Sequence, residues 1–122
     1  MMQMSFKHLL VWNKSMDLAF LVYEYTKNFP KSEMFGLQSQ MRRSAVSVVS
    51  NIAEGSQLTS DKQFAKFILT SKGSLAELET QRLISLKMKY LSEEQAEDFA
   101  NRISELDKML YGLHRKLAAA SL

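Results

Sequence analysis

The chain of 122 residues has no cysteine, a single proline and only four glycines. The missing cysteine excludes disulfides, thiolate zinc sites, iron–sulfur clusters and cysteine nucleophiles. The absence of cysteine is compatible with a cytoplasmic location but does not establish one. No stretch stays apolar for the ~18 residues that a membrane span requires, and Met1 to Lys7 shows no leader pattern. We therefore expect a cytoplasmic protein with no membrane partner.

The low glycine and proline content also bears on the fold class. It argues against disorder and against turn-rich β folds, while 46% hydrophobic and 24% charged residues are typical of a globular domain. The length suits one ordinary domain and is short for two. The sequence thus predicts a single, mostly helical domain over residues 1–122.

Three short segments divide the chain into four helical patterns. They are Phe29-Pro30-Lys31-Ser32, Gly55-Ser56 with Thr59-Ser60-Asp61, and Ser92-Glu93-Glu94-Gln95. Ser32 is positioned to cap the second helix, and Ser92 with Gln95 has the spacing of a capping box. The expected helices cover about 11–28, 33–54, 61–89 and 93–117. Short connections make neighbours antiparallel, so we predict an all-α, up-and-down antiparallel four-helix bundle.

Apolar periodicity supports this bundle and indicates more than one buried face. The last helix has one line, formed by Ala96, Phe99, Ile103, Leu106, Leu110, Leu113 and Leu117. The first helix has two lines: Met16, Phe20 and Tyr23 on one side, and Leu18, Val22, Tyr25 and Phe29 on the other. The second helix adds Val46, Val49 and Ala53 beside its main line. One four-helix core uses only part of this surface, which favours a homo-oligomer.

The net charge of +3 is unevenly distributed. Six basic and three acidic residues lie between Thr59 and Leu91, whereas four basic and six acidic residues lie between Ser92 and Leu122. Such asymmetry attracts a polyanion or joins subunits, and ordinary solvated helix faces explain it equally well. Candidate nucleic-acid-binding residues are Arg42, Arg43, Lys62, Lys66, Lys72, Arg82, Lys87 and Lys89.

The sequence contains no recognisable catalytic motif. His8 and His114 lack partners at metal-ligand spacing, and no E-x-x-H pair of the kind used by di-metal bundles is present. Nucleophile elbows and glycine-rich phosphate loops are also missing. We expect no enzyme activity, no metal and no cofactor, and the sequence identifies no small-molecule substrate.

Five polar residues are expected to brace the helices rather than to do chemistry. Antiparallel pairing places Arg43 near Ser74, so Glu77, close to Glu79 in sequence, comes within reach of Arg43 or Ser39. This favours a structural ion pair that fixes the register of helices two and three. Asn51 is expected to be half-buried. Glu54 opposes the dipole at its helix end unless Lys62 or Lys66 neutralises it.

Several motifs in order resemble one family. They are Val11-Trp12-Asn13-Lys14, Phe29 through Leu37, Gln40 through Ser47, Ser50-Asn51-Ile52-Ala53-Glu54-Gly55 and Gly73 through Gln81. Over about Phe6 to Leu117 the chain resembles the 23S ribosomal RNA intervening-sequence proteins. It is also similar to the accessory bundle of diversity-generating retroelements. These resemblances imply a bacterial four-helix bundle that assembles as a ring-like homopentamer. In the retroelements, the similar accessory bundle binds a reverse transcriptase and nucleic acid.

These observations lead to one functional hypothesis and one alternative. The hypothesis is a non-enzymatic, homo-oligomeric binding or scaffold module that contacts RNA or a nucleoprotein through repeated basic residues. The alternative is a protein–protein interaction module that binds no nucleic acid.

Overall fold

A computed structural model describes residues 5–58 and 60–120. It contains four α-helices: α1 (Leu10–Thr26), α2 (Leu37–Ser56), α3 (Asp61–Lys87) and α4 (Glu93–Ala120). Short 3-10 turns at Ser5–His8 and Lys31–Glu33 precede α1 and α2. Each helix packs on its neighbours in sequence, and α1 also packs on α4. The predicted all-α, up-and-down four-helix bundle is confirmed.

The apolar lines meet in one core. Its completely or almost completely buried side chains come from all four helices, and include Leu18, Val22, Met41, Val48, Ile52, Ile68, Leu75, Leu78, Phe99, Leu106 and Leu110. Of the line predicted for α4, all members are buried except Leu113, which is partly buried. Fully burying each such side chain contributes about 1.5–3 kcal/mol, so this shared core is the main source of stability.

The start of α2 differs from the sequence prediction. The helix begins at Leu37 rather than Glu33, because Lys31–Glu33 forms a 3-10 turn. Ser32 makes no capping hydrogen bond; instead the Glu33 carboxylate accepts a hydrogen bond from the Leu37 backbone N–H at 3.1 Å. A negative charge there suits the positive end of the helix dipole.

The caps of α3 and α4 form as side-chain chemistry predicts. Ser60 Oγ accepts a hydrogen bond from the Gln63 N–H at 3.1 Å, while Thr59, also expected near this cap, lies outside the described residues. Ser92 Oγ accepts from the Gln95 N–H, and Gln95 Oε1 accepts from the Ser92 N–H, each at 3.0 Å. This reciprocal pair is a capping box.

The end of α3 comes two residues earlier than expected. Lys89 adopts a left-handed conformation with φ 63°. The Tyr90 N–H donates to the Ser85 carbonyl at 2.8 Å, and the Lys89 N–H donates to the Leu86 carbonyl at 3.0 Å. These two bonds form a Schellman motif, in which glycine usually occupies the left-handed position.

Candidate functional site

The outer surface of α1, of α2 and of the turn that precedes α2 carries a large uncovered apolar area. It includes Phe35, which is 91% exposed, and Phe20, which is 67% exposed, with Tyr23, Met34 and Val46 also exposed. We call these five residues the α1–α2 face. Two open cavities of about 750 and 420 Å³ lie along it, and both are lined by Tyr23 and Val46. The face is therefore continuous.

The helix pattern explains why this face stays outside. Leu18 and Val22 of α1 point into the core, so Phe20 and Tyr23, on the other predicted line, face solvent. On α2 the buried line occupies the core in the same way and leaves Val46 outside. The surplus apolar surface expected from the sequence is present in the folded subunit.

Arg42 holds the end of α1 to α2. Its Nε donates to Thr26 Oγ1 at 3.0 Å, its Nη2 donates to the Tyr23 carbonyl at 3.4 Å, and its guanidinium lies 4.6 Å from the Tyr23 ring centroid. Gln38 Nε2 donates to the Thr26 carbonyl at 2.7 Å. Donors placed on the last carbonyls of a helix satisfy groups that the helix itself leaves unpaired. Arg42 therefore has a structural role.

Arg82 is also engaged inside the subunit. It is 9% exposed, and its Nε and Nη2 donate to the two Glu79 oxygens at 2.6 and 2.8 Å, while Nη1 donates to the Ala96 carbonyl at 3.1 Å. The hydrogen bond to Glu79 raises the pKa of Arg82. Arg82 thus joins α3 to α4 and offers little to a phosphate, contrary to its place among the candidate nucleic-acid contacts.

The other candidate cations fall into two groups. Lys72 donates to Asp107 on α4 at 2.6 Å, so it is paired. The other five candidates are exposed and make no ion pair within the ranges 5–58 and 60–120; they are Arg43, Lys62, Lys66, Lys87 and Lys89. Because Lys62 lies near the start of α3 and Lys89 lies just after its end, about 40 Å apart at 1.5 Å per residue, these five cations do not form one compact patch.

The structure brings Arg43 and Glu77 to one cavity but does not pair them. Both line an opening of about 410 Å³ between α2 and α3. Within the described residues neither makes an ion pair or a hydrogen bond, so the expected ion pair is absent. Glu79, its predicted neighbour, pairs with Arg82 instead. Ser74, expected opposite Arg43, shares a hydrogen bond with Ser47, one turn further along α2.

Asn51 is half-buried, as expected, and braces α2 internally. Its Nδ2 donates to the Ser47 carbonyl at 2.8 Å and to Ser47 Oγ at 3.1 Å. Glu54 is exposed, and no cation of the described chain lies within ion-pair distance of it. The expected neutralisation by Lys62 or Lys66 is therefore not formed.

The apolar pattern does not predict that polar residues of α3 are buried. Gln81 and Arg82 are both almost buried, and Gln81 continues the inward line three residues after Leu78 and four before Ser85. This spacing indicates that Gln81 is buried. A buried polar residue needs a hydrogen-bond partner. The Gln81 amide oxygen is buried and accepts no hydrogen bond from the described chain.

A contact between α1 and α4 shifts the pKa values of both its partners, Tyr25 and Asp98. Tyr25 Oη donates to Asp98 Oδ2 at 2.7 Å. This hydrogen bond, with a smaller contribution from Arg102, lowers the pKa of Asp98, and it raises the pKa of Tyr25. Across residues 5–58 and 60–120, no three His, Asp or Glu side chains gather as metal ligands, and no helix is long and apolar enough to cross a bilayer.

The fold and surface define a four-helix bundle with an uncovered apolar face and dispersed basic groups. The chain belongs to the 23S rRNA-intervening sequence protein family, whose model matches residues 7–112. A similar solved structure is a protein with unknown function from the S23 ribosomal protein family of Bacteroides thetaiotaomicron. It is 25% identical, has a TM-score of 0.77, and the match covers 86% of this chain and 98% of that chain. No curated protein matches significantly.

Proposed function

We propose that the chain is a non-enzymatic scaffold whose copies associate through the α1–α2 face. The observation that carries the proposal is the continuous exposure of Phe20, Tyr23, Met34, Phe35 and Val46. Each large apolar side chain that becomes fully buried contributes about 1.5–3 kcal/mol, and extended apolar patches are uncommon on monomeric proteins. The resemblance described above implies that the assembly has five subunits.

Light scattering coupled to size-exclusion chromatography at micromolar concentration tests the assembly. We expect a single oligomeric species for the natural chain. The double substitution Phe20→Ser and Phe35→Ser should shift the mass toward one subunit, because both side chains project from the surface and removing them leaves the core intact.

Leu10→Ser is the matched control. Leu10 is 64% exposed, close to the value for Phe20, but it lines neither cavity of the α1–α2 face. It should keep the oligomer. A natural chain that runs as one subunit would refute the proposal, as would an oligomer that survives the double substitution.

Contact with RNA or a nucleoprotein is the second candidate. Five of the candidate cations favour it, because their charge is not neutralised by an ion pair within the described subunit; they are Arg43, Lys62, Lys66, Lys87 and Lys89. Repetition around an oligomer multiplies the number of phosphates that are contacted, and affinity rises steeply with that number. We leave Arg42, Lys72 and Arg82 out of this surface because each has partners in the fold.

A gel-shift titration with single-stranded RNA at ~50 mM salt tests this candidate, since low salt favours phosphate contacts. The variant Lys62→Glu with Lys66→Glu should weaken RNA binding and leave the oligomer mass unchanged. Absence of binding by the natural chain would remove the RNA candidate. The protein–protein interaction module would then be the remaining function, provided that the assembly persists.

A further inference from the structure

The cavity between α2 and α3 is lined only by polar side chains. Its seven lining residues supply one guanidinium, one carboxylate, two amides and three hydroxyls, and its volume is about 410 Å³. Small-molecule sites typically have volumes of roughly 300–1,000 Å³. The cavity therefore has a suitable size for a small molecule, but its walls select against an apolar one.

Several of these groups lack partners in the described chain. Arg43 and Glu77 make no ion pair, and the Ser44 hydroxyl makes no hydrogen bond. Gln81 is 8% exposed, and its amide oxygen accepts no hydrogen bond. A buried amide without partners costs free energy, and native proteins usually satisfy such groups. The unsatisfied Gln81 points to a missing polar partner.

The chemistry of the walls narrows the class of ligand. A simple anion would be attracted by Arg43 but repelled by Glu77. A simple cation would be attracted by Glu77 but repelled by Arg43. No aromatic ring lines the cavity, so it offers a base or a sugar no aromatic stacking surface. A molecule that carries both charges avoids this repulsion, because its negative group can face Arg43 and its positive group can face Glu77.

We propose that this cavity binds a small zwitterion of the α-amino acid class. The carboxylate of the ligand lies on the Arg43 guanidinium, with the Ser44 hydroxyl as a second donor. The ligand ammonium lies on the Glu77 carboxylate. Gln81 lines the same cavity, and a half turn about its broad terminal torsion points its amide oxygen at the ammonium and moves its NH2 group to the buried position. This inference requires neither the proposed assembly nor RNA contact, but it shares Arg43 with both, because Arg43 also lines the larger cavity of the α1–α2 face and is one of the candidate RNA contacts.

Nuclear magnetic resonance titration of the ¹⁵N-labelled full chain with glycine, and separately with serine, tests the site. We expect saturable shifts confined to amides around the cavity. Acetate and methylammonium, which each carry one of the two charges, should bind at least about tenfold more weakly. Absence of saturable shifts up to about 10 mM glycine, where binding free energy is already slight, overturns the proposal. Equal binding of acetate or methylammonium overturns it too.

Variants test which residues hold the ligand. Arg43→Gln and Glu77→Gln should each weaken glycine binding about tenfold or more, the loss expected for a charged hydrogen bond. Both side chains are exposed, so neither change disturbs the core, and circular dichroism melting verifies folding. Glu97→Gln, an exposed carboxylate of α4 outside the cavity, is the matched control and should bind glycine normally. Unchanged binding by Arg43→Gln and Glu77→Gln would place the ligand elsewhere.

Discussion

The hydroxyl oxygens of Ser47 on α2 and Ser74 on α3 lie 2.8 Å apart and share a hydrogen bond. One turn further along, Ser71 Oγ donates to the Val48 carbonyl at 2.8 Å. Sliding one helix past the other would separate all of these groups from their partners in a partly or fully buried interface. These contacts therefore help to set the register of α2 against α3, which places Arg43 and Glu77 on the same cavity.

The same interface explains why residue 55 is glycine. A Cβ atom at Gly55 would lie 2.6 Å from Phe67 Cβ and 2.8 Å from Phe64 Cδ1. Phe67 Cβ is tied to the backbone of α3, so the helices would have to move apart. We expect Gly55→Ala to lower the free energy of unfolding by about 1–3 kcal/mol, measured by urea denaturation.

Gly73→Ala is the control for this prediction. A Cβ atom there would meet no heavy atom within 4 Å, and the residue lies inside α3. The change should stabilise the protein by about 0.5–1 kcal/mol through helix propensity alone. If both variants shift stability in the same direction, close helix approach is not the reason for Gly55.

The bundle was predictable from the sequence because the helical spacing of apolar residues is repeated over many turns. Lines such as Phe99, Ile103 and Leu106 recur over many turns, so an error at one position does not change the conclusion. Contacts between single side chains are different. Whether Glu79 pairs with Arg82 or Glu77 pairs with Arg43 depends on side-chain directions and separations that the sequence spacing alone does not give. Spacing on a helix nevertheless permits the Glu79–Arg82 pair, which is three residues apart.

The candidate site was predictable to different degrees. The second apolar line through Phe20 and Tyr23 was readable from periodicity, and the structure leaves both residues exposed. Which cations remain unpaired was not readable, because the partners of Arg42 and Lys72 lie on helices far away in sequence. Phe35, the most exposed aromatic residue of the face, lies in a turn, where periodicity gives no information.

The contact between Tyr25 and Asp98 predicts a dependence of stability on pH. The pKa of Asp98 is lowered in the folded state, so the ionised Asp98 stabilises the folded protein. This contribution to the free energy of unfolding is complete above the unfolded pKa of Asp98, near pH 4, and is lost as the pH falls through the folded pKa. Tyr25→Phe should therefore destabilise the protein at pH 7, and less at about pH 2.5, which lies below the unfolded pKa of Asp98. The expected loss at pH 7 is at most about 1 kcal/mol, because Asp98 is partly exposed to solvent.

Urea denaturation of both proteins at the two pH values measures this difference. The substitution keeps the ring that packs edge-on against Phe99, with ring centroids 5.0 Å apart, so the comparison isolates the hydroxyl. An equal loss of stability at both pH values would show that the hydrogen bond does not lower the pKa of Asp98.

Lys89 offers a stabilising substitution. Its left-handed backbone, at φ 63°, costs a residue with a side chain roughly 1–2 kcal/mol, whereas glycine adopts it freely. Allowing for the greater freedom of glycine in the unfolded chain, Lys89→Gly should raise stability by about 1 kcal/mol. Lys87→Gly removes the same charge from the last residue of α3 and should lower stability. Thermal melting of the pair separates the backbone effect from the charge effect.

Gln81 allows stability and ligand binding to be separated. Replacing it by leucine removes an amide whose buried oxygen accepts no hydrogen bond, and keeps most of the side-chain volume in the core. Gln81→Leu should therefore raise the free energy of unfolding by about 1 kcal/mol or more. The same change should weaken glycine binding if the cavity is a zwitterion site, because the ammonium loses one acceptor.

Gln38→Leu is the control for this substitution, since the Gln38 amide donates to the Thr26 carbonyl at 2.7 Å and its loss should destabilise the end of α1 by about 1 kcal/mol. Urea denaturation compares the two variants directly. Destabilisation by Gln81→Leu as large as that by Gln38→Leu would mean that the Gln81 amide is already satisfied in the folded protein. The argument for a missing polar partner would then fail, whereas opposite signs for the two leucine variants would support it.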